Sequence, residues 1–494
     1  MALKRKPAVG GKKAGRGAGS ARTAAGPAAS RPRARKAASK PRARPAPPKP
    51  TVEELLRKAD QPAKDSLRLH EFYRGVWEVV PKACIRSFDD FAIWYTPGVA
   101  ATCKDIQANP EKVLRATNKW NTVAVVTDGT RILGLGNIGP EAGMPVMEGK
   151  ALLFKYLGGV DAVPLCLDCH TTDEIVTAVK WLQPSFNGVN LEDIEKPKCF
   201  EILDRLRREA RIPIWHDDQQ GTAAVTIAGW INAQKIVGKK RDQVRIALIG
   251  AGASNINICR MMIAAGADPL KICLVDTKGI LNKSRTDVRE LEPVKWHFAN
   301  ITNGEQRSGG AAEAMEGADV CVALSSPGPG KIKPEWVRKM AKDAILFACA
   351  NPIPEIWPWE AKDAGARIVA TGRSDFPNQV NNSLGFPGIF RGTLDVMATT
   401  ITDEMCIAAA EELARTQADK GMDEEHLIPT MDDWEVFPRE AVAVGLKAIE
   451  QGIARRKADH DTLFAEAATI IRRARKQVQV LQEKGVIRRP PGNS

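Results

Sequence analysis

The sequence predicts an α/β protein in which a parallel, doubly wound sheet fills the second half of the chain. Three observations carry that expectation. From residue 244 onward, short and nearly all-apolar stretches alternate with helical segments, the pattern of a parallel sheet covered on both faces. A glycine-rich turn, Gly250-Ala-Gly252-Ala253-Ser254-Asn255, follows the first of those stretches and opens a helix. The charge is unevenly placed: fifteen of the 72 Lys and Arg, and none of the 59 Asp and Glu, fall in residues 1–50, so the body of the chain is nearly neutral.

Residues 1–50 are Ala, Gly, Pro, Lys and Arg with almost no large apolar side chains. Such a tail cannot bury enough surface to offset its ordering entropy, so disorder is expected, with weak, salt-sensitive affinity for polyanions. It is acid-free like an organellar presequence but lacks the aliphatic residues of an amphipathic presequence helix. Order begins at Thr51, which can cap a helix running through Leu55 and Leu56. Residues 51–220 form a first domain, with strands at 122–127, 131–135 and 212–215 and helices at 149–157 and 199–210. The last of these carries Phe200, Leu203 and Leu206 on one face. Residues 221–455 form a second domain, with strands at 245–249, 272–275, 320–324, 345–348 and 368–370 and a helix at 256–265. Helical patterns cover 395–420 and 437–482, and residues 456–494 are a C-terminal helical extension. Within it, 469–485 reads as a subunit-contact helix or, less simply, as a polyanion-binding face.

The neutral body excludes a dedicated nucleic-acid-binding domain. The ten cysteines show no paired framework, which points to reduced thiols in an intracellular compartment. Cys166-Leu-Asp-Cys169-His170 has the spacing of c-type haem attachment, but that needs export and the N-terminus lacks an apolar signal core, so a strand end and turn is the expectation. No apolar run approaches the roughly 20 residues of a membrane span. A soluble protein of the cytoplasm is expected, with organellar import as the alternative.

Two acidic clusters, Asn190-Leu-Glu192-Asp193-Ile194 and His216-Asp217-Asp218-Gln219, lie about one helix apart, the second at the exit of an apolar strand. Carboxylates at such an exit are costly unless a cation or other partner compensates them, and converging oxygens suit a hard divalent ion. A helix N-cap at Asp193 followed by a solvated turn is the competing explanation. The turn at 250–255 has the strand–glycine–helix context of a dinucleotide site, although Asn255 stands where a third glycine is usual. Asp276, at the end of the next strand, can accept hydrogen bonds from a ribose diol, or can merely form the Asp-Thr-Lys-Gly turn. An ion and a nicotinamide together suggest oxidation of a chelated hydroxyl, which needs a base; Lys150, closing the glycine-rich stretch 128–150, is the candidate.

From about Leu69 to Arg455 the chain resembles the malic enzymes, the oxaloacetate-decarboxylating malate dehydrogenases. The shared blocks are Tyr95-Thr-Pro-Gly-Val-Ala100, residues 128–150, 190–194, 215–223 and 250–253, Ala350-Asn351-Pro-Ile-Pro-Glu355, and Thr371-Gly-Arg-Ser-Asp375 through Asn381-Asn382 to Gly392. The resemblance implies a malic-type α/β substrate domain followed by a Rossmann-like NAD(P)-binding domain. It implies that Glu192, Asp193 and Asp218 ligate Mg²⁺ or Mn²⁺, that Lys150 takes the hydroxyl proton of malate, and that Asp217 orients Lys150. Tyr95 would protonate the enolpyruvate carbon, and Arg131 would bind a substrate carboxylate. Asn351, Asn381 and Asn382 would line the substrate, with Asn351 also beside a nicotinamide cofactor held by Gly250, Gly252, Ala253, Ser254, Asn255 and Asp276. The implied reaction is oxidative decarboxylation of (S)-malate to pyruvate and CO₂ with NAD or NADP, in a homodimer or dimer-built oligomer. Malolactic conversion to lactate on bound NAD is the neighbouring alternative, and a nucleic-acid-associated protein using its basic tail is the one from another class. Asp276 argues for NAD by repelling a 2′-phosphate, whereas Lys278, Arg285 and Lys295 could pair with one. Gln220 departs from a His often found after Asp-Asp-Gln in shorter members.

Overall fold

The computed structural model describes residues 51–491. The expected disorder and polyanion affinity of residues 1–50 lie outside the described residues. Of the unit Met1–Leu56, only residues 51–56 are described. There Glu54 donates its amide to Thr51 Oγ1 (3.1 Å) and accepts the Thr51 amide (2.9 Å), closing the cap expected at the start of the helix Val52–Tyr73.

Residues Arg57–Ser494 pack as a second unit built around two parallel sheets. The first joins β1 (Thr122–Thr127), β2 (Asp161–Cys166), β3 (Val189–Leu191) and β4 (Ile214–His216) in the order β2-β1-β3-β4, all parallel. The second holds β5 (Ile246–Ile249), β6 (Ile272–Asp276), β7 (Gly279–Ile280), β8 (Val320–Ala323), β9 (Ala344–Ala348) and β10 (Ala366–Thr371) in the order β10-β9-β8-β5-β6-β7. Counted from β5, that order is the doubly wound one, with a short antiparallel β7 at its edge. The chain reverses direction across the sheet between β5 and β8, which is where such folds bind ligands. The strands are buried, because helices cover both faces, except β2 at the edge of the first sheet, which is half-buried along most of its length. One apolar core extends from Val123 and Phe154 through Trp215 and Trp230 to Phe347 and Phe390, so both sheets are packed into it.

Several expectations are corrected. Residues 131–135 are turns with one bridge, Ile132 to Gly136, and not a strand. Leu133 and Gly136 have φ of 49° and 82°, which no strand ladder accepts. The helix expected from 395 begins at Asp403, capped by the Thr402 side chain, after Met397 turns left-handed at φ 52°. The helix expected over 437–482 is two, Val436–Glu450 and His460–Glu483, separated by a turn in which Gly452 has φ 73°. β2 ends at Cys166 as expected, but residues 167–170 run on as an irregular segment and not as a turn, leading into the next helix, where the His170 amide donates to Glu174 Oε2. No helix among the described residues is long and apolar enough to cross a membrane.

Candidate active site

Register brings the two acidic clusters together. In β3 and β4, Asn190 pairs with Trp215 and Leu191 with His216, so Glu192-Asp193 and Asp217-Asp218 leave neighbouring parallel strands at the same end. Asp193 is not a helix N-cap: it sits left-handed at φ 53°. Its amide donates to Asp218 Oδ2 at 3.0 Å, and its carbonyl accepts the Arg131 amide at 3.2 Å. Glu192, Asp193 and Asp218 each present an oxygen within 4.8 Å of the others. Glu192 and Asp193 are buried, and Asp193 Oδ2 has no hydrogen-bond partner. Burial, then the Asp218 charge, pushes the Asp193 carboxyl up to about 7, and burial holds Glu192 well above the carboxylate range. Three crowded carboxylates with an orphaned oxygen fit a hard divalent cation, which prefers oxygen ligands. Asn190 Nδ2 orients the group by donating to Glu192 Oε2 at 2.8 Å.

Lys150 meets this cluster from the helix Pro140–Gly158. It is 8% exposed, with Nζ 2.6 Å from Asp217 Oδ2 and 3.0 Å from Glu192 Oε1, over the ring of Phe386. Asp217 is fully buried, and its oxygens also accept Asn382 Nδ2 and Trp215 Nε1. The carboxylate lies against Gly221, where a Cβ would come 2.1 Å from Asp217 Oδ1, so the π-helical turn Asp217–Gly221 closes only with glycine there. Burial pulls the Lys150 ammonium down, but Asp217 and Glu192 outweigh it and hold the ammonium above its ordinary value. His216 is buried with no hydrogen bond to either ring nitrogen, Nδ1 lies 3.7 Å from Asp218 Oδ2, and burial pulls the imidazole below its ordinary value.

The glycine-rich turn lies at the switch point, next to the acidic cluster. Gly250 has φ 98°, and a Cβ there would meet Leu324 O at 2.4 Å, whereas Gly252 has no heavy atom within 4 Å of such a Cβ. Open space over Gly252 leaves the first-turn amides of the helix Ala253–Ala264 available to a phosphate. Asn255, in place of the usual glycine, is fully buried, with its Oδ1 free of any hydrogen bond. Its Nδ2 donates to Ile249 O (3.0 Å) and Val322 O (3.3 Å), stitching the ends of β5 and β8. Ser254 Oγ donates to Asp218 O at 2.9 Å. Asp276 forms the expected turn through the Lys278 amide and is also ion-paired, with Arg285 at 3.0 Å and Lys295 at 3.3 Å.

Known proteins resolve what such a site belongs to. Residues 75–207 match the profile of the malic enzyme N-terminal domain, and residues 219–450 that of the malic enzyme NAD-binding domain. The chain is 47% identical over 392 residues to the bifunctional malic/malolactic enzyme of Bacillus subtilis, covering 79% of this chain and 94% of that one. The chain belongs to the malic enzyme family. It is also 47% identical to the NAD-dependent malic enzyme of Geobacillus stearothermophilus, over 77% of this chain and 78% of that one. Among solved structures, the malic enzyme of Entamoeba histolytica superposes with a TM-score of 0.87 at 44% identity, covering 90% of this chain and 93% of that one.

The remaining residues singled out by resemblance to malic enzymes are placed unequally. Arg131 is exposed on the loop whose backbone holds Asp193, with no ion pair recorded among the described residues. Asn351 faces that loop: a Cβ on Gly134 would lie 3.7 Å from its carbonyl, and Gly372 leaves room for its side chain. Asn382 joins the group through Asp217, whereas Asn381 uses its Oδ1 to cap the next turn, accepting from Ser383 N and Oγ. Among the described residues, Tyr95 makes no side-chain hydrogen bond to this cluster. It follows the short helix Phe91–Trp94 and is 71% exposed. Gln220 turns its side chain back, accepting the His216 amide at 3.0 Å.

Sequence reasoning did not single out Trp215 or Phe386 as parts of the site, although both stand inside the shared blocks. It also passed over Asp128, which opens one of those blocks. Asp128 accepts from Thr130 and pairs with Lys198 at 2.6 Å, and Thr130 Oγ1 accepts the Glu195 amide, pinning the Arg131 loop to the Asp193 loop.

Proposed function

We propose that the protein oxidatively decarboxylates (S)-malate to pyruvate and CO₂, reducing NAD or NADP, with Mg²⁺ or Mn²⁺ held by Glu192, Asp193 and Asp218. The observation that carries this reading is the contact of Lys150 with both Asp217 and Glu192, which sets the candidate base beside the carboxylates that would hold the cation. A divalent ion bound there supplies Lewis-acid polarisation of the C2 oxygen and the adjacent carboxylate. The dinucleotide, bound on the turn at 250–255, supplies the hydride acceptor.

The protein's own groups do the rest. Lys150, once its two carboxylates are partly neutralised, releases its own proton to solvent and, as the neutral amine, takes the C2 hydroxyl proton at Nζ. Asp217 keeps the resulting ammonium in place and is itself held by Asn382 and Trp215. Arg131 and Asn351 bind and orient the substrate from facing loops, and the buried floor of Trp215 and Phe386 excludes water. Tyr95 returns a proton to C3. It lies on an exposed apolar face with Phe88, Phe91, Ile93, Trp94 and Val99, and that face supports a dimer in which a second copy covers it. The same residues would serve malolactic chemistry, which the printed name of the Bacillus subtilis relative includes. On this reading the protein acts in the cytoplasm.

The test is the initial rate of nicotinamide reduction with (S)-malate and Mn²⁺, given NAD⁺ and NADP⁺ in parallel, with pyruvate and lactate quantified. Pyruvate rising with the reduced cofactor, and lost in Lys150→Ala, supports the reading. Lactate without released reduced cofactor moves it to malolactic chemistry. No product from folded, metal-loaded protein overturns both.

A further inference from the structure

The turn that would hold the cofactor and the turn that carries a cation ligand are joined side chain to backbone. Ser254, second residue of the helix Ala253–Ala264, offers its amide to a phosphate while its Oγ grips the carbonyl of Asp218 at 2.9 Å. One helical turn on, Asn257 is buried, and its Nδ2 donates to Gln219 Oε1 at 2.9 Å. Gln219 Nε2 in turn donates to Cys199 O at 3.1 Å, at the start of the helix that follows Glu192 and Asp193. The contacts run from the phosphate turn through Asp218 and Gln219 to the segment after the other two carboxylates. They all converge on the π-helical turn Asp217–Gly221, a geometry that is rare and is often found at functional sites.

We infer that Ser254 and Asn257 are positioning residues that couple dinucleotide binding to divalent-cation binding. Each ligand orders the shared turn, so the second to bind meets a turn already in place, and its affinity rises. The coupling is reciprocal: the factor by which the dinucleotide tightens the cation equals the factor by which the cation tightens the dinucleotide. This rests on Glu192, Asp193 and Asp218 holding the cation and on residues 250–255 holding the phosphates.

The test measures Mn²⁺ binding to the full-length protein by electron paramagnetic resonance, without and with saturating NAD⁺ or NADP⁺, and dinucleotide binding by tryptophan quenching, without and with Mn²⁺. Wild type shows the same coupling factor in both directions, about five-fold or more. In Ser254→Ala/Asn257→Leu the factor falls below about two-fold. Ser254→Ala alone, which removes one half-buried hydroxyl, moves it the same way, and Ser254→Thr keeps it. A structural defect would weaken each affinity without moving their ratio. A wild-type factor near one, or a factor unchanged in the double variant, overturns the coupling. Mn²⁺ binding that survives Asp218→Asn overturns instead the assignment of the cation site on which it rests.

Discussion

Asp217 Oδ2 lies between two donors, Lys150 Nζ at 2.6 Å and Asn382 Nδ2, although Lys150 precedes it by 67 residues and Asn382 follows it by 165. The buried ammonium is therefore held by a carboxylate that is itself fixed, and the pair has consequences for stability as well as chemistry. Lys150→Ala leaves the buried Asp217 carboxylate without its ammonium partner, which costs about 3–5 kcal/mol. The metal-free variant melts well below wild type, and saturating Mg²⁺ recovers part of the loss. Differential scanning fluorimetry with EDTA or Mg²⁺ reads this, and an unchanged melting temperature refutes it. Asp217→Asn keeps the shape but not the charge, and kcat falls roughly 10²–10⁴-fold.

Cation binding follows pH in a direction the cluster sets. In the metal-free protein burial and Asp218 raise the Asp193 carboxyl to about 7, above its ordinary value. A folded-state value above the unfolded one contributes stability that is fully present below about pH 4 and is lost as pH rises through about 7. Bound Mg²⁺ takes the place of the proton. The gain in melting temperature on adding Mg²⁺ is therefore larger at pH 8 than at pH 6; equal gains would contradict the assignment.

Cofactor choice turns on Asp276. Its carboxylate is closed by Arg285 and Lys295, so both cations face a site that a 2′-phosphate could share once the acid is removed. Asp276→Asn raises kcat/KM for NADP⁺ relative to NAD⁺ by roughly ten-fold, the effect of about 1.4 kcal/mol. Steady-state kinetics with both cofactors checks it, and a shift toward NAD⁺ refutes it.

The two glycines of the turn separate fold from function. Gly250→Ala forces a Cβ to 2.4 Å from Leu324 O at φ 98° and destabilises the protein by about 1–3 kcal/mol or more. Gly252→Ala meets open space, so the melting temperature holds while the cofactor KM rises. Melting curves and cofactor titrations of the two variants together test the contrast.

Much of this was legible locally. Strand runs such as residues 320–324 and 345–348 read as buried because apolar continuity is a property of consecutive residues, and β8 and β9 form there within a residue at each end. Residues 131–135 misled because Arg-Ile-Leu is apolar enough for a strand, whereas the positive φ of Leu133 belongs to a loop wrapped against Asp193. Asn255 read as a defect in a glycine motif. Only the packed sheet brings the Ile249 and Val322 carbonyls of neighbouring strands to its amide.

By itself, the sequence determined which residue types stand in which order. That was enough for the doubly wound half, for the Thr51 cap, and for two acidic clusters, the second at a strand exit. The tertiary structure decided what those groups meet. It set β3 beside β4 so that the clusters converge, swung Lys150 onto Asp217, closed Asp276 with Arg285 and Lys295, and left Tyr95 exposed. The reason is one of range. Hydrophobic period and capping act over a few residues, whereas ion pairing and carboxylate crowding depend on distances that only the packed chain sets.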